Sequence, residues 1–582
     1  MFKKKKMKKM RPKSVEKPKK IIRRKRTEKI DLKPIEEIAR SVGIRKKFLE
    51  LYGPYKAKVA LAAVKITRPR KDAKYVLLTS VTPTQFGEGK TVMAIGLSMA
   101  FKALQKRVIS CIMQPSLGGI FGTRGTGTGA GLSQVQPTED IALHLTGDSY
   151  AVSAAHNLCA AYLENSIFQG NPLNIDPASI IWKRVTDAND RSLRVVNTGL
   201  GGKADGISRK TGFDASATSE LMAILALANN LKDMRARIGR IILGFNKKGK
   251  PVTCEDIKAA GAMTVILKDA LKPNLLQTTG HSPCFMHTGA FGDISLGASS
   301  VIADKMALGL CDYVITETGF GADLGAEKFF DIKCRASALT PDVAVIVCTV
   351  RALKIHSGDF EIVNGKIPRE ILRESISSVE RGLFNLEKQI ENLRTFGVPV
   401  VVCINRFPSD TDKEIHAIER KTIDLGATSV AVSDVCERGA EGGISLAQAI
   451  IAACKSKSAF RFLYPLEMPV KDKIRRIAKT IYGAKEVVFS EEANKKATLF
   501  KKLKIDNLPV CMAKTHLSIS HNPKKKGRPH GFKFPVDDLV ISCGAGYITA
   551  FSNNIKTLPG LVKIPRGTRI DINEEGKISG LF

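Results

Sequence analysis

A glycine-rich segment between an apolar run and a helix-like stretch has residue types that bind phosphate. The segment reads Thr84-Gln85-Phe86-Gly87-Glu88-Gly89-Lys90-Thr91. Glycines permit a tight turn whose N–H groups converge on an anion, and the following helix adds partial positive charge. In such turns the lysine reaches the β- and γ-phosphates, and the hydroxyl reaches Mg²⁺. The pattern predicts a nucleotide site, although Thr84 replaces the first P-loop glycine and a structural turn is the alternative.

A second glycine-rich segment, residues 121–131, contains five glycines and Arg124. Consecutive N–H groups in such a loop can form a nest for an anion, and Arg124 adds charge. A flexible linker is the alternative for this composition, and the residues favour the two interpretations equally. Because the segment follows a predicted strand at residues 107–113, we expect it at the same sheet edge as Lys90.

Short apolar runs alternate with helical patterns along most of the chain. Predicted strands cover residues 75–82, 107–113, 239–244, 313–317, 343–350 and 398–405. An amphipathic helix is predicted over 31–50 and another helix over 91–104. Alternating strands and helices indicate parallel βαβ units and therefore a doubly wound, mostly parallel sheet. With the turn at residues 84–91, we expect a sheet of the P-loop type. Such sheets bind ligands at the carboxyl ends of their strands, where Glu317 or Asp323 could order Mg²⁺-bound water unless they serve as helix caps or surface carboxylates.

The 582 residues suggest about three domains at roughly 100–200 residues each. We expect a disordered basic arm at residues 1–29 and a large nucleotide-binding α/β domain at 30–340. Two smaller α/β domains are expected at 341–470 and 471–582, with approximate boundaries. No run of 18 apolar residues occurs, so we expect no membrane span.

The charge is strongly positive, with 92 Lys and Arg against 56 Asp and Glu, a net charge of +36. Residues 1–26 hold 15 Lys or Arg and one Glu. This excess favours anionic partners, and nucleic acid could bind the arm, although a basic composition without a specific partner is the alternative.

Cysteine and histidine spacing argues against a metal site built by these side chains. None of the 12 cysteines forms a C-x-x-C pair, which predicts free thiols and a reducing, cytoplasmic location. His144, His287 and His356 lack metal-ligand spacing.

Residues 30–582 resemble the formate–tetrahydrofolate ligase family. The similarity is collinear and includes the turn at 84–91 and GFGADLGAEKFFDIKCR at 319–335. Further matching segments are residues 33–39, 115–118, 173–177, 268–274, 350–354, 405–408, 511–515 and 578–582.

The resemblance implies an ATP-dependent ligase with Mg²⁺ that joins formate to tetrahydrofolate through formyl phosphate, giving 10-formyltetrahydrofolate, ADP and phosphate. It also implies a homotetramer. Residues 84–91 match the ATP loop, with Lys90 on the phosphates. Arg124 stands where the family has lysine, and both are candidate catalytic residues. Phe407 and Pro408 match positions that line the nucleotide and pterin cleft.

Four positions depart from the family pattern. Met113 replaces an arginine that holds formyl phosphate, Leu132 a tyrosine, Leu296 a histidine, and Cys436 a tryptophan that stacks on the pterin. A thioether cannot neutralise an acyl phosphate. The alternative function is therefore a catalytically degenerate member that binds nucleotide as a binding or scaffold protein.

Overall fold

A large, mostly parallel β-sheet runs through the computed structural model, which describes residues 31–66, 68–122, 125, 127–362, 367–553 and 555–581. Ten of its strands form one continuous path. Their order across the sheet is Leu49–Leu51, Ala57–Val59, Asn274–Thr278, Pro283–Met286, Val108–Ile112, Tyr313–Glu317, Lys74–Ser80, Val343–Cys348, Val400–Asn405 and Ser429–Ser433.

The strands from Pro283–Met286 to Ser429–Ser433 pair in parallel. The central ones are largely buried because helices cover both faces, and every residue of Val343–Cys348 is apolar and buried. The α/β class and the mostly parallel sheet are confirmed. The helices that accompany this sheet are Lys90–Ala103, Val301–Leu310, Val350–His356, Ile376–Thr395, Asp412–Asp424, Val435–Arg438 and Ile444–Ala453.

One edge of the sheet is antiparallel. Leu49–Leu51, Ala57–Val59, Asn274–Thr278 and Pro283–Met286 pair in succession. Strand Ser133–Gln136 joins Asn274–Thr278 and pairs with Gly129–Ala130. Helix Ile35–Ser41 packs on strand Asn274–Thr278 and helix Thr138–Leu143 on Ser133–Gln136, and two further helices of this part of the chain are Ala62–Ile66 and Leu117–Gly122.

A helical region with its own apolar core occupies the chain between the sheet strands at 133–136 and 274–278. Its helices are Asp148–Phe168, Glu220–Leu227, Leu231–Gly239 and Ala260–Leu267. Three two-stranded sheets accompany them: Arg184–Thr186 with Phe213–Ala215, Val196–Thr198 with Arg209–Thr211, and Ile242–Phe245 with Pro251–Thr253. Trp182 packs in this core, where it stacks on His156.

The C-terminal region combines helices with small sheets. Its helices are Val470–Thr480 and Glu491–Lys502. Strand Val510–Ala513 pairs with Tyr547–Phe551, which also pairs with Asp538–Ser542, while Glu486–Phe489 pairs with Lys533–Val536. Strands Asp571–Ile572 and Ile578–Ser579 form the last pair.

One apolar cluster extends from Ile35 to Ala550 and so includes residues of all three predicted domains. Strands Val400–Asn405 and Ser429–Ser433 also continue the sheet that contains Lys74–Ser80. The division at residues 340 and 470 stays a prediction. The basic arm at 1–29 lies outside the described residues.

The prediction of one helix over residues 31–50 was wrong in its extent. The structure has a helix only at Ile35–Ser41, because Gly43 adopts a left-handed φ of 79° just beyond its end. The chain then forms a 3₁₀ turn and strand Leu49–Leu51, which pairs with Ala57–Val59. The amphipathic pattern therefore spans a helix and an edge strand.

Two of the buried lysines illustrate how charge is compensated in the core by carboxylates. Lys58 lies 2.8 Å from Asp148, and Lys354 lies 2.6 Å from Glu414. Removing one partner would leave an uncompensated buried charge, which typically costs about 3–5 kcal/mol. These pairs therefore restrict how the neighbouring elements can pack.

In the part of the chain that the structure describes, no helix has the length and apolar character needed to cross a membrane. The same residues contain no cluster of three or more His, Cys, Asp or Glu side chains that could hold a metal ion. All twelve cysteines are free thiols, and ten of them are buried.

Candidate active site

A cavity of about 480 Å³ lies at the carboxyl ends of the central parallel strands. Lys74–Ser80 leads into the turn at residues 84–91, Val108–Ile112 leads to Met113, and Tyr313–Glu317 ends at the cavity. Doubly wound sheets bind ligands at this end because the loops after neighbouring strands meet there. The topology therefore brings three separate loops to one concave surface.

The turn at residues 84–91 contributes most of one wall. Thr84, Gln85, Phe86, Gly87, Lys90 and Thr91 line the cavity. Glu88 and Gly89, which sequence reasoning grouped with them, do not line it. The structure therefore brings six of the eight turn residues to the cavity and leaves two behind its wall.

Glu88 holds the turn closed from behind. Its carboxylate accepts hydrogen bonds from the backbone N–H of Thr84 at 2.8 Å and from the hydroxyl of Thr349 at 2.7 Å. The amide of Asn405 donates to the Glu88 carbonyl at 3.0 Å. Glu88 is 1% exposed, so its role is to fix the turn rather than to contact a ligand.

Gly89 sets the junction between the turn and the following helix. It adopts a φ of 80° just before helix Lys90–Ala103, in the left-handed region that glycine enters without strain. A Cβ at this position would lie 2.6 Å from Nδ2 of Asn405. Glycine is therefore required here by both conformation and space.

Lys90 begins this helix and lines the cavity. Its Nζ donates to the Ser80 hydroxyl at 3.3 Å. Burial lowers the pKa of Lys90, while the nearby carboxylates of Glu317 and Glu88 oppose that shift. A partly buried cation beside a helix N-terminus suits a polyanion, which would replace the solvation that Lys90 has lost.

Thr91 and Glu317 place two oxygen ligands side by side. The Thr91 hydroxyl donates to the Glu317 carboxylate at 2.8 Å, and both residues line the cavity. Burial raises the pKa of Glu317, against the effects of Thr91 and Lys90. Asp323, the other carboxylate considered from sequence, is instead paired with buried Lys514 at 2.8 Å.

The second glycine-rich segment reaches the same cavity as Lys90. Gly125 and Gly127 line it, beside Met113. Arg124 lies outside the described residues, so its predicted catalytic role stays a prediction. The side chain of Met113 gives this wall an apolar surface.

Phe407 and Pro408 do not line this cavity. Phe407 is instead linked to the turn through Arg351, whose guanidinium lies 5.4 Å from the Phe86 ring and 4.9 Å from the Phe407 ring. Phe86 itself is a cavity residue. These two contacts of Arg351 place Phe407 next to the turn. Contact between Phe407 and a ligand stays a prediction.

The other positions that depart from the resembled pattern lie elsewhere. The backbone N–H of Leu132 donates to the carbonyl of Cys436 at 2.8 Å, so these two positions are neighbours. Leu296 is fully buried in the apolar core of the helical region. Of the four departures, only Met113 lines the cavity.

A polar network behind the turn was not found by sequence reasoning. Asn385 accepts from the Thr82 N–H at 3.1 Å and donates to its hydroxyl at 2.9 Å. His356 donates through Nε2 to the Thr82 carbonyl at 2.7 Å, while its Nδ1 accepts from the Gly527 N–H at 3.3 Å. Burial lowers the pKa of His356 to about 4. The network therefore fixes Thr82, two residues before the turn.

A histidine–aspartate pair at the cavity was also missed. His516 lines the cavity, and its Nδ1 lies 2.9 Å from the carboxylate of Asp293. The ring stacks on Phe320 with centroids 4.2 Å apart and planes 15° apart. The two paired residues are separated by 223 positions in the sequence.

Comparison with known proteins gives one consistent result. The family model described as "Formate--tetrahydrofolate ligase" matches residues 24–582. A formate–tetrahydrofolate ligase of Desulforamulus reducens is 50% identical over 550 residues, covering 94% of this chain and 97% of the relative. Formate–tetrahydrofolate ligase 3 of Rubrobacter xylanophilus is 48% identical over 562 residues, covering 95% and 98%. The ligase of Chloroflexus aurantiacus is 48% identical over 560 residues, with the same coverage.

Proposed function

The chain belongs to the formate–tetrahydrofolate ligase family, and we propose that it joins formate to tetrahydrofolate while converting ATP to ADP and phosphate. The product is 10-formyltetrahydrofolate, which places the enzyme in one-carbon metabolism. The observation that carries the proposal is the position of Lys90 and Thr91. Both line a cavity at the carboxyl ends of the central strands, at the start of helix Lys90–Ala103.

The first chemical task is to activate formate. Formate is a poor acylating agent because its carboxylate would have to lose oxide. In the proposed step, a formate oxygen attacks the γ-phosphorus of ATP, ADP leaves, and formyl phosphate forms. Phosphate then serves as a good leaving group. Phosphoryl transfer depends mainly on positioning and on stabilising charge, which the turn is suited to provide.

Lys90 and the N-terminus of helix Lys90–Ala103 supply positive charge for the phosphates. The turn brings Thr84, Gln85, Phe86 and Gly87 to the same wall, beside the N-terminus of helix Lys90–Ala103, which favours an anion. Lys90 is the cation that we assign to the β- and γ-phosphates. Its partial burial makes the interaction stronger than it would be in water.

The residues at the cavity fit Mg²⁺. Magnesium prefers hard oxygen ligands and is usually held by one or two carboxylates together with substrate phosphates and water. The Thr91 hydroxyl and the Glu317 carboxylate are adjacent and are such ligands. Bound Mg²⁺ would neutralise charge on the transferring phosphate.

The second chemical task is to transfer the formyl group to an amine of tetrahydrofolate before water attacks. The nitrogen N10 forms a bond to the formyl carbon, and the bond from that carbon to the phosphate oxygen breaks. Apolar side chains such as Met113 and Ile120 line part of the cavity and limit the access of water. We place formyl transfer in this cavity, with Phe407 and Pro408 at the neighbouring pterin cleft.

A direct assay tests the function. Purified protein should form 10-formyltetrahydrofolate, ADP and phosphate when formate, ATP, Mg²⁺ and tetrahydrofolate are all present. Omission of any substrate should abolish the product. Product formation no greater than that of Lys90→Ala would contradict the ligase proposal, whereas retained ATP binding without turnover would support the binding-protein alternative.

We propose a cytoplasmic homotetramer. Free, mostly buried cysteines support a reducing location. Exposed apolar side chains near strand Val196–Thr198 support a contact between subunits: Val195, Leu200 and Ile207 are 58%, 73% and 43% exposed. Light scattering of the purified protein tests the mass. Nucleic-acid binding by residues 1–26 stays a prediction, tested by its salt dependence and by deletion of those residues.

A further inference from the structure

A fixed imidazole lies at the cavity, on a different loop from the phosphate turn. His516 lines the cavity and is paired with Asp293, which is 8% exposed. Phe320 stacks on the ring, and its own φ is 63°. A non-glycine residue in that conformation is strained and is kept there by its surroundings. The arrangement holds one orientation of the His516 ring.

The pairing also decides which ring nitrogen is available. An ionised carboxylate only accepts hydrogen bonds, so Asp293 requires that Nδ1 of His516 carry the proton. Nε2 of the neutral ring is then a proton acceptor. Among the described residues, none forms a hydrogen bond with Nε2. The ring therefore presents a basic nitrogen without a partner at the surface of the cavity.

We propose that His516 is the base that removes the proton from N10 of tetrahydrofolate during formyl transfer, with Asp293 as its positioning residue. This inference rests on the proposed function. As N10 bonds to the formyl carbon and the carbon–oxygen bond to phosphate breaks, the nitrogen acquires a positive charge. Its proton passes to Nε2 of His516, and the imidazolium returns it to solvent through its exposed side.

The other titratable groups at the cavity are already engaged. Glu317 accepts from the Thr91 hydroxyl and is assigned to the phosphate end. Lys90 is held against Ser80 and is assigned to the phosphates. The charged groups near His516 are Asp293, which pairs with it, Lys514, which interacts electrostatically with Asp293, and Lys90 and Glu317, which line the same cavity. Only His516 has an unpaired acceptor nitrogen among them.

A short chain of contacts ties the base to the phosphate end. The Ser80 hydroxyl accepts from Lys90 Nζ at 3.3 Å and donates to the carbonyl of Phe320 at 3.0 Å. Phe320 in turn stacks on His516. The activation and transfer ends of the site are thus held in a fixed relation by the residues that follow two neighbouring strands. Such pre-positioning suits an intermediate that must be consumed before it hydrolyses.

The test compares kcat and KM of the full-length protein across pH. We expect His516→Gln to lower kcat for 10-formyltetrahydrofolate formation by about 100-fold, within the range for loss of a general base. KM for ATP should stay within twofold. The acid limb of the wild-type pH–kcat profile should disappear in the variant. His416→Gln, which changes an exposed histidine outside the cavity, is the matched control and should keep the wild-type profile.

A second variant tests the positioning role. Asp293→Asn keeps an oxygen that can accept from Nδ1 but removes the negative charge that stabilises imidazolium. The acid limb should therefore move to lower pH, with a smaller loss in kcat than in Asp293→Ala. Because Asp293→Asn conserves size, it also guards against a result that reflects misfolding alone.

Three results would overturn the assignment. The first is His516→Gln with kcat within twofold of wild type. The second is an unchanged acid limb in that variant. The third is an increase in KM for formate without a fall in kcat, which would make His516 an anion-binding group. Absence of turnover in the wild-type protein would overturn the proposed function as well, so the two failures are distinguishable.

Discussion

The hydroxyl of Thr91 donates to the carboxylate of Glu317 at 2.8 Å. This bond joins the first turn of helix Lys90–Ala103 to the end of strand Tyr313–Glu317, and the two bonded residues are 226 positions apart in sequence. It also places two hard oxygen ligands at one point of the cavity wall. The contact is the basis for assigning Mg²⁺ to this point.

Removal of the Thr91 hydroxyl should raise the Mg²⁺ requirement. We expect Thr91→Val to increase the Mg²⁺ concentration for half-maximal activity by about 10-fold, because loss of one hard ligand weakens a site that holds few protein ligands. Thr91→Ser keeps the hydroxyl and is the control. A Mg²⁺ titration at saturating ATP measures the change. Equal Mg²⁺ dependence of the Val and Ser variants would show that the Thr91 hydroxyl is not a Mg²⁺ ligand.

Two glycines in the turn should respond differently to alanine. Gly87 and Gly89 both have positive φ, but a Cβ at Gly87 meets nothing within 4 Å, whereas one at Gly89 meets Asn405. We expect Gly87→Ala to cost about 1–2 kcal/mol in stability from conformational strain alone. Gly89→Ala should cost about 1 kcal/mol more, because Asn405 must give up its bond to Glu88. Urea unfolding midpoints and calorimetric ADP affinity measure both effects; equal losses would contradict the packing argument.

Met113 should limit the rate of formate activation. It lines the cavity at the position where the family resemblance expects arginine. We expect Met113→Arg to raise formate-dependent ATP cleavage about 10-fold or more, since a single stabilising donor can contribute about 10²–10³ in rate. Met113→Leu keeps the apolar surface and should match wild type. An unchanged, already high turnover in the Arg variant would show that other groups hold the acyl phosphate.

Three buried histidines should make stability fall in mild acid. Burial lowers the pKa values of His156, His287 and His356 to about 4. The unfolded chain has histidine pKa values near 6.5, so between pH 6.5 and 4 it binds more protons than the folded chain. Stability is therefore complete above about pH 6.5 and declines as the pH falls, by up to about 1.4 kcal/mol per pH unit per histidine.

The histidine contribution can be separated from that of the carboxylates by a variant. His287 donates through Nε2 to the carbonyl of Ala270 at 2.7 Å, and its Nδ1 lies 2.7 Å from the Ser300 hydroxyl. His287→Gln should lower stability at pH 7 but flatten its decline between pH 6.5 and 4.5. Urea unfolding at both pH values measures the difference. A slope equal to that of wild type would contradict a neutral, buried His287.

The pattern of apolar residues and glycines in the sequence predicted the strands and helices that a short segment specifies by itself. Strand Tyr313–Glu317 and helix Lys90–Ala103 follow from apolar runs and from the glycines that precede the helix. The same reasoning anticipated that the second glycine-rich segment would meet Lys90 at one sheet edge. It extended the first helix too far because an amphipathic pattern does not show where Gly43 ends a helix.

The pattern could not find contacts made by distant segments. Glu88 has the sequence position of a ligand-binding residue, but its carboxylate turns inward to Thr84 and Thr349. His516 and Asp293 come together only because two loops meet at the cavity. The 223 positions between them leave no local pattern that links the two residues, so their pairing could be recognised only in three dimensions.

The central claim is that the turn carrying Lys90 holds ATP so that formate can be activated beside it. The most direct test is formate-dependent formation of 10-formyltetrahydrofolate by wild-type protein and by Lys90→Ala. We predict product formation by the wild type and a loss of at least 100-fold in the variant, with retained folding by circular dichroism. Equal rates in the two proteins, or no product from either, would contradict the account.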